Sequence, residues 1–288
     1  MPRVKLIVTG DMEKRALHES LQRFFPDARE GEAVTWERPR KSQCATSYQL
    51  PHEPFKPSPV MLTLARAMLD EAGVHPWRPG AAELVIVVED LELGNLGRED
   101  VIVRHFRAAV EEILDSFEIR TQERYRERLQ ERCSFHLFNS MVETYLFGDP
   151  GALHVAGVAG GRKPRLVDLD IENFETDDPA WLPTCRAESA NYLAAGVAWW
   201  RHERHPKKYL EHLTKDNYDE IEHGVPALKA LDWSAVGRVA SHVRVVRCLF
   251  EDLAEWFGTA NPLAAGACHG ALFPPRSVNR AGMLLRNC

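Results

Sequence analysis

The chain has 288 residues, long enough to bury one large core or two modest ones, and its 44% hydrophobic and 27% charged content is that of a globular protein. No apolar stretch approaches the length of a membrane span, so no membrane partner is expected. The formal net charge of −6 argues against a broad electrostatic coat for nucleic acid while leaving room for a local basic groove.

The six cysteines stand singly without CxxC spacing, which excludes a zinc knuckle and a dithiol redox motif and predicts a reducing compartment. Asp11 and Glu13 arrive too soon after the first residues for a signal peptide, so a cytoplasmic location is expected.

Val4 to Val8 predicts a short strand, Thr9-Gly10-Asp11 a turn, and Glu13 to Phe25 a helix with Leu17, Leu21, Phe24 and Phe25 at helical spacing. Residues 26–59 are rich in proline and polar residues and read as a loop or a weak hairpin. Ser58-Pro59 then supplies the cap and first position of a helix over Val60 to Glu71.

The segment AELVIVVEDLELGN follows. Leu84 to Val88 is a continuous apolar run, the pattern of a strand buried on both faces of a parallel sheet, and it meets Glu89, Asp90 and Glu92. The carboxyl ends of such strands line ligand crevices. Asp90 and Glu92, two apart, share one side if the chain stays extended. Two readings stand: the strand ends at Val88 and the acids are solvated or cap a turn, or they hold a hard divalent cation through oxygen.

From Asp100 a helix carries Ile102, Phe106, Val110, Ile113, Leu114 and Phe117 on one stripe. It is expected to continue into RTQERYRERLQER as a solvated face laced with salt bridges. Cys133 to Leu146 is a mixed apolar segment. GVAGG before Arg162 and Lys163 lacks the GxxxxGK[ST] spacing of a phosphate loop. Arg165 to Ile171 alternates as a strand would, and Ala187 to Trp200 reads as helix. His223-Gly224 reads as a helix end with Gly224 in the left-handed cap position, and Val239 to Phe257 as a final amphipathic helix. Beyond Gly258 periodicity is lost and a loose tail over 259–288 is expected.

One strand running into VTGDMEKR and a later one into VVEDLEL together resemble the TOPRIM fold of topoisomerases, primases and overcoming-lysogenization-defect nucleases. In that family a Glu-Gly pair ends the first strand and Asp-x-Asp ends a later one. Gly10, Glu13, Asp90 and Glu92 match, with Glu92 standing for the second Asp and Thr9 for the family's Glu. Asp11 or Glu13 is the nearest replacement for the missing acid. SFHLFNSMVETYLFGDP, HPKKYLEHL and YDEIEHGVPALKALDW are similar to stretches of the RloB-like family, often encoded beside ABC-type ATPases in prokaryotic defence loci.

The resemblance implies a TOPRIM-like α/β core over 1–150 with a mostly parallel sheet, and a helical half over 151–258 packed on it. It also implies Mg²⁺ or Mn²⁺ held by Glu13, Asp90 and Glu92, and Glu143 as an added site residue. The activity implied is cleavage of DNA or RNA in antiphage defence, with an ABC-type ATPase as partner. Homo-oligomerisation is left open. The runner-up is a catalytically weak subunit that binds an ATPase or nucleic acid as a sensor, and a third reading is an unrelated α/β phosphatase or nucleotide hydrolase.

In WWRHERHPKKYLEH, the bases Arg201, Arg204, Lys207 and Lys208 adjoin Trp199, Trp200 and Tyr209, a combination suited to phosphates and unpaired bases. His205-Pro206 is expected to break the preceding helix, so that Lys207 and Lys208 open a new element near the crevice. The alternative is a solvated basic edge. His202, His205, His212 and His223 lack the HExxH spacing and neighbouring cysteines of a zinc site.

Overall fold

The computed structural model describes residues 1–74, 80–196, 202–274 and 282–288. β1 (Arg3–Val8) passes through Gly10 into α1 (Asp11–Gln22). A short hairpin, β2 (Ala28–Arg29) and β3 (Glu32–Ala33), precedes β4 (Thr35–Lys41). α2 (Pro59–Glu71), β5 (Leu84–Asp90), α3 (Glu99–Leu114), α4 (Ile119–Arg132) and β6 (Cys133–Phe138) follow. The remainder is helical: α5 (Glu143–Leu146), α6 (Pro150–Val155), α7 (Leu182–Ala194), α8 (Pro206–Leu213), α9 (Val225–Ala230), α10 (Trp233–Val236) and α11 (Arg244–Phe257).

The main sheet is parallel throughout, in the order β4-β1-β5-β6. The fold is therefore α/β with helices on both faces of the sheet. Alternation along the strands divides the core. Val4, Leu6, Val8, Leu84, Ile86 and Val88 face α1, α9 and α11, while Ile7, Val85 and Val87 face α2 and α3. The helical half shares the first of these cores, because Tyr209, Leu228, Trp233 and Phe250 pack in the same cluster as Val4 and Met12.

Several local expectations hold for physical reasons that were visible in the sequence. The Ser58 hydroxyl accepts from the Met61 backbone N–H at 3.1 Å and Pro59 takes the first helical position of α2. On α4 only Tyr125 and Leu129 are buried, and Arg126 makes a two-pronged pair with Glu111 of α3.

Other expectations are corrected. The segment over 26–59, read as a loop or a weak hairpin, does hold a short hairpin, β2 with β3, but it also contains β4, an edge strand of the main sheet. Its sequence, TWERPRK, is polar because one edge is open, so no buried run marked it. The charged run does not continue the preceding helix, since the chain turns at 115–118 before α4 begins. Arg165 to Ile171 makes only an isolated bridge, Leu166 to Thr176. The final helix starts at Arg244 rather than Val239.

Gly224 is right-handed, with φ −66°, and joins a π-turn over Glu220–Gly224 to α9. Glycine is needed there for space: a Cβ would stand 2.5 Å from the Tyr218 hydroxyl and 2.6 Å from Met12 Sδ.

The expected loose tail is also overturned for its last residues. Leu284, Leu285 and Cys288 are buried in the second core. β6 is an edge strand, and Asn287 covers its open side. Its Oδ1 accepts from Phe135 N–H at 3.1 Å, and its Nδ2 donates to Phe135 O and Leu272 O, each at 2.7 Å. Arg286 N–H adds a bond to Cys133 O at 2.8 Å. Replacing Asn287 with Ala orphans these buried groups at about 1–3 kcal/mol each. The expected outcome is a lower Tm and a lower urea midpoint; an unchanged denaturation curve would show that the tail adds nothing to the fold.

Candidate functional site

A cavity of 480 Å³ opens at the carboxyl ends of β1 and β5, lined by Thr9, Gly10, Glu13, Cys44, Asp90, Glu92, Glu143, His205, Lys207, Lys208, Glu211 and Glu220 among others. The local causes are distinct for each acid. β5 is an inner strand, and strict alternation puts Asp90 on the face of Val88 and Glu89 on the opposite face.

Glu89 does not reach the cavity. Its Oε1 accepts from Ala45 N–H at 2.6 Å, Thr46 N–H at 3.1 Å and the Thr46 hydroxyl at 2.9 Å, so it ties down the segment after β4. Beyond Asp90 the backbone keeps bonding the end of β6, with Leu91 N–H to Phe138 O and Glu92 N–H to Ser140 O, both 2.8 Å. The chain does not stay extended, because Glu92 has φ +61°, yet both acids line the same cavity.

Glu13 reaches the site through Gly10. The Glu13 carboxylate folds back over the glycine, where a Cβ would stand 2.6 Å from Glu13 Cδ. With a side chain at position 10 the Glu13 carboxylate would have to move from this place. Although Glu13 sits in the first turn of α1, where side chains commonly meet solvent, it is 3% exposed. Asp11, the other candidate replacement, turns away and pairs with Lys41. Glu143, the first residue of α5, is 4% exposed and joins the cavity wall.

α8 brings the bases. Pro206 at its start sets its direction after His205, and Lys207 Nζ lies 2.8 Å from Glu220 Oε2 and 4.0 Å from Glu143 Oε1. Lys208 pairs with Glu211 at 2.7 Å. Glu220 was not singled out in the sequence. It accepts from Met12 N–H at 3.1 Å with its other oxygen, so it fastens the start of α1 to the lysine. Only its place in YDEIEHG hinted at it, because Met12 is distant along the chain.

The remaining basic residues behave differently. Arg204 pairs with Glu175 at 2.7 Å and lines a separate pocket with Phe174, so it is not part of the acid cavity. Arg201, with Trp199 and Trp200, lies outside the described residues.

Burial is the largest influence on Glu13, Asp90, Glu92 and Glu143. It pushes the Glu13 carboxyl up to about 8, with Glu143 and Glu220 adding to it. Glu143 is pushed up to about 7, where burial prevails over the opposing pull of Lys207. Asp90 is raised well above the carboxylate range by burial, then by Glu13 and Glu92, and Glu92 is raised by burial. Burial pulls the Lys207 ammonium down, but Glu143, Glu220 and Glu211 outweigh it and hold it above its ordinary value. Burial, then His202 and the two lysines, lowers His205 to about 3, leaving its ring neutral.

Asp90 Oδ1 is buried without a hydrogen-bond partner. The carboxylate oxygens of Glu13, Asp90, Glu92 and Glu143 are donors that suit a hard divalent ion. Among the described residues, no three His, Cys, Asp or Glu side chains already surround one point as a bound ion would require.

No family model, no curated protein and no solved structure matches the chain.

The raised carboxyls have a consequence for stability. A carboxyl raised in the folded state contributes stability below its unfolded value near 4.5, and that contribution is lost as the pH climbs through about 7–8. In metal-free buffer the Tm is therefore expected to fall progressively from about pH 5 and to level off above about pH 8. Glu13→Gln, which keeps the shape without the charge, should flatten the fall and melt higher than the parent at pH 9. A parent Tm that rises over this window would contradict the arrangement.

Proposed function

We propose that the chain is a metal-dependent phosphodiesterase of TOPRIM-like design, cleaving DNA or RNA. The observation that carries this reading is the meeting of Glu13, Asp90, Glu92 and Glu143 in one cavity at the ends of two adjacent parallel strands, with an orphaned oxygen on Asp90. Mutual repulsion holds uncompensated carboxylates apart, and protons or a cation must relieve it.

Asp90, Glu92 and Glu13 would hold Mg²⁺ or Mn²⁺. When bound, such an ion offsets the charge that develops on the attacking and leaving oxygens of a phosphodiester. The chain's own residues do the rest. Glu13 replaces the acid missing at Thr9, because Gly10 lets its carboxylate lie against the strand end. Glu143 stands where it can take or give a proton near neutral pH, and Lys207 faces a phosphate entering beside it.

The RloB-like resemblance extends the proposal to antiphage defence with an ABC-type ATPase partner, in a cytoplasmic setting. Among the described residues no helix is long and apolar enough to cross a membrane. Thr9 favours a second reading, a sensing subunit that binds an ATPase or nucleic acid without cutting.

Two measurements separate these readings. Isothermal calorimetry with Mn²⁺ is expected to show binding that Asp90→Asn abolishes, and Glu13→Gln should lower Mn²⁺-dependent cleavage of a DNA and RNA panel at least about 100-fold. Metal binding without cleavage, with the partner present, favours the sensor; no metal binding at all removes the enzyme.

The lysines make a further expectation. Replacing Lys207 and Lys208 with Ala should weaken nucleic-acid binding and flatten the slope of log K against log salt by about 0.9 for each duplex phosphate that is no longer neutralised. An unchanged slope in a salt titration assigns both lysines solely to Glu220, Glu143 and Glu211.

A further inference from the structure

A second cavity, larger than that of the acids, lies away from them. It is a groove of 820 Å³ between α6, the segment over 158–171 and the turn over 235–243. Its floor is aliphatic: Leu153, Val158, Ile171, Val236 and Val243 are buried there. Its rim carries apolar side chains out into solvent. Leu169 is 87% exposed and Val239 is 45% exposed. Isolated exposed aliphatics are ordinary, but a group of them around one groove marks an interaction surface.

The charge of the groove runs against that of the chain. The chain carries −6, yet Arg162, Lys163, Arg238, His154 and His242 line the groove with Asp168 as the sole acid among the described residues. Asp168 is already spent locally, accepting from Asp170 N–H and Asn173 Nδ2, each at 2.9 Å. Arg162 is used as well, since its Nη1 donates to His212 O and Leu213 O at the end of α8. Lys163 and Arg238, both exposed, make no ion pair or hydrogen bond with any described residue.

We infer that this groove is a docking surface for an acidic amphipathic segment of a partner protein. Its aliphatic side chains would enter the floor over Ile171 and Val236, and its carboxylates would meet Lys163 and Arg238. Two features favour a protein segment over nucleic acid. The floor is aliphatic, its one benzene ring, Phe147, is almost wholly covered, and the other aromatic rings of the lining are the imidazoles of His154 and His242, so unpaired bases meet no Phe, Tyr or Trp platform on which to stack. The exposed Leu169 and Val239 need apolar cover that a phosphate backbone does not give. The inference rests on no metal chemistry and stands or falls apart from the acid cavity.

The test uses the full chain and three fluorescein-labelled probes read by anisotropy. One is a helical peptide with Leu on one face and Glu elsewhere, one has the same pattern with Lys for Glu, and one is single-stranded DNA. The Leu/Glu peptide is expected to bind saturably and at least about ten-fold more tightly than the other two, a difference of about 1.4 kcal/mol. Leu169→Asp with Val239→Asp should weaken it about ten-fold or more, and Lys163→Glu with Arg238→Glu should invert the preference toward the Leu/Lys peptide. These positions are exposed, and circular dichroism checks that the fold survives. Absent or equal binding of the two peptides, tighter binding of the DNA, or indifference to the four substitutions would each overturn the inference.

Discussion

The structure depends on one conflict. β5 is buried on both faces from Leu84 to Val88 and therefore carries no polar side chain until its end, where Glu89 and Asp90 follow at once. Burial raises both carboxyls, and the fold answers each differently because alternation sends them to opposite faces. Glu89 keeps its Oε2 buried without a partner, but its Oε1 accepts from the backbone N–H groups of Ala45 and Thr46, which fixes the loop after β4. Asp90 receives no such donors, and its Oδ1 is left facing the acids of α1 and α5. A residue pair adjacent in sequence thus divides into a structural clamp and a candidate ligand.

The helical half answers the same conflict from the other side. Lys207 is placed by Pro206 at the head of α8, between Glu143 and Glu220, and Glu220 in turn holds the first turn of α1 through Met12 N–H. One ammonium, kept charged by the acids around it, joins three elements that are far apart in the chain. The cavity is consequently not a feature of the sheet alone. The acids of β5 and α1 form one wall and α8 with the π-turn form the other. Gly224, at the end of that turn, is held free of a side chain by Met12 and Tyr218, so the turn packs directly against the start of α1.

How the sheet edges are closed bears on the same geometry. β4 is polar because half of its surroundings are solvent, and β6 is apolar because Asn287 and Arg286 cover its outer side. With β6 held in place, the bonds from Leu91 and Glu92 to its end fix the path of the chain just after Asp90. The C-terminal residues therefore support the site from a distance without touching it.

Periodicity made β1, α1, α2, β5 and α3 legible, because each buries a continuous or regularly spaced apolar set whose signal is local. The acids at the end of β5 and the glycine before Glu13 were legible for the same reason: a turn and a strand end are properties of neighbouring residues. β4, the tail around Asn287 and the role of Glu220 were not, since each depends on a partner that the chain brings from far away. The burial of Glu13 belongs with them. Its place in a first helical turn favours solvent, and only tertiary packing, with the π-turn against the start of α1, removes it from water. The sequence by itself determined an α/β chain with acids at a strand end. The tertiary structure decided which of those acids meet, which are clamped, and which lysine stands among them, because charge interactions depend on distance and burial rather than on order along the chain.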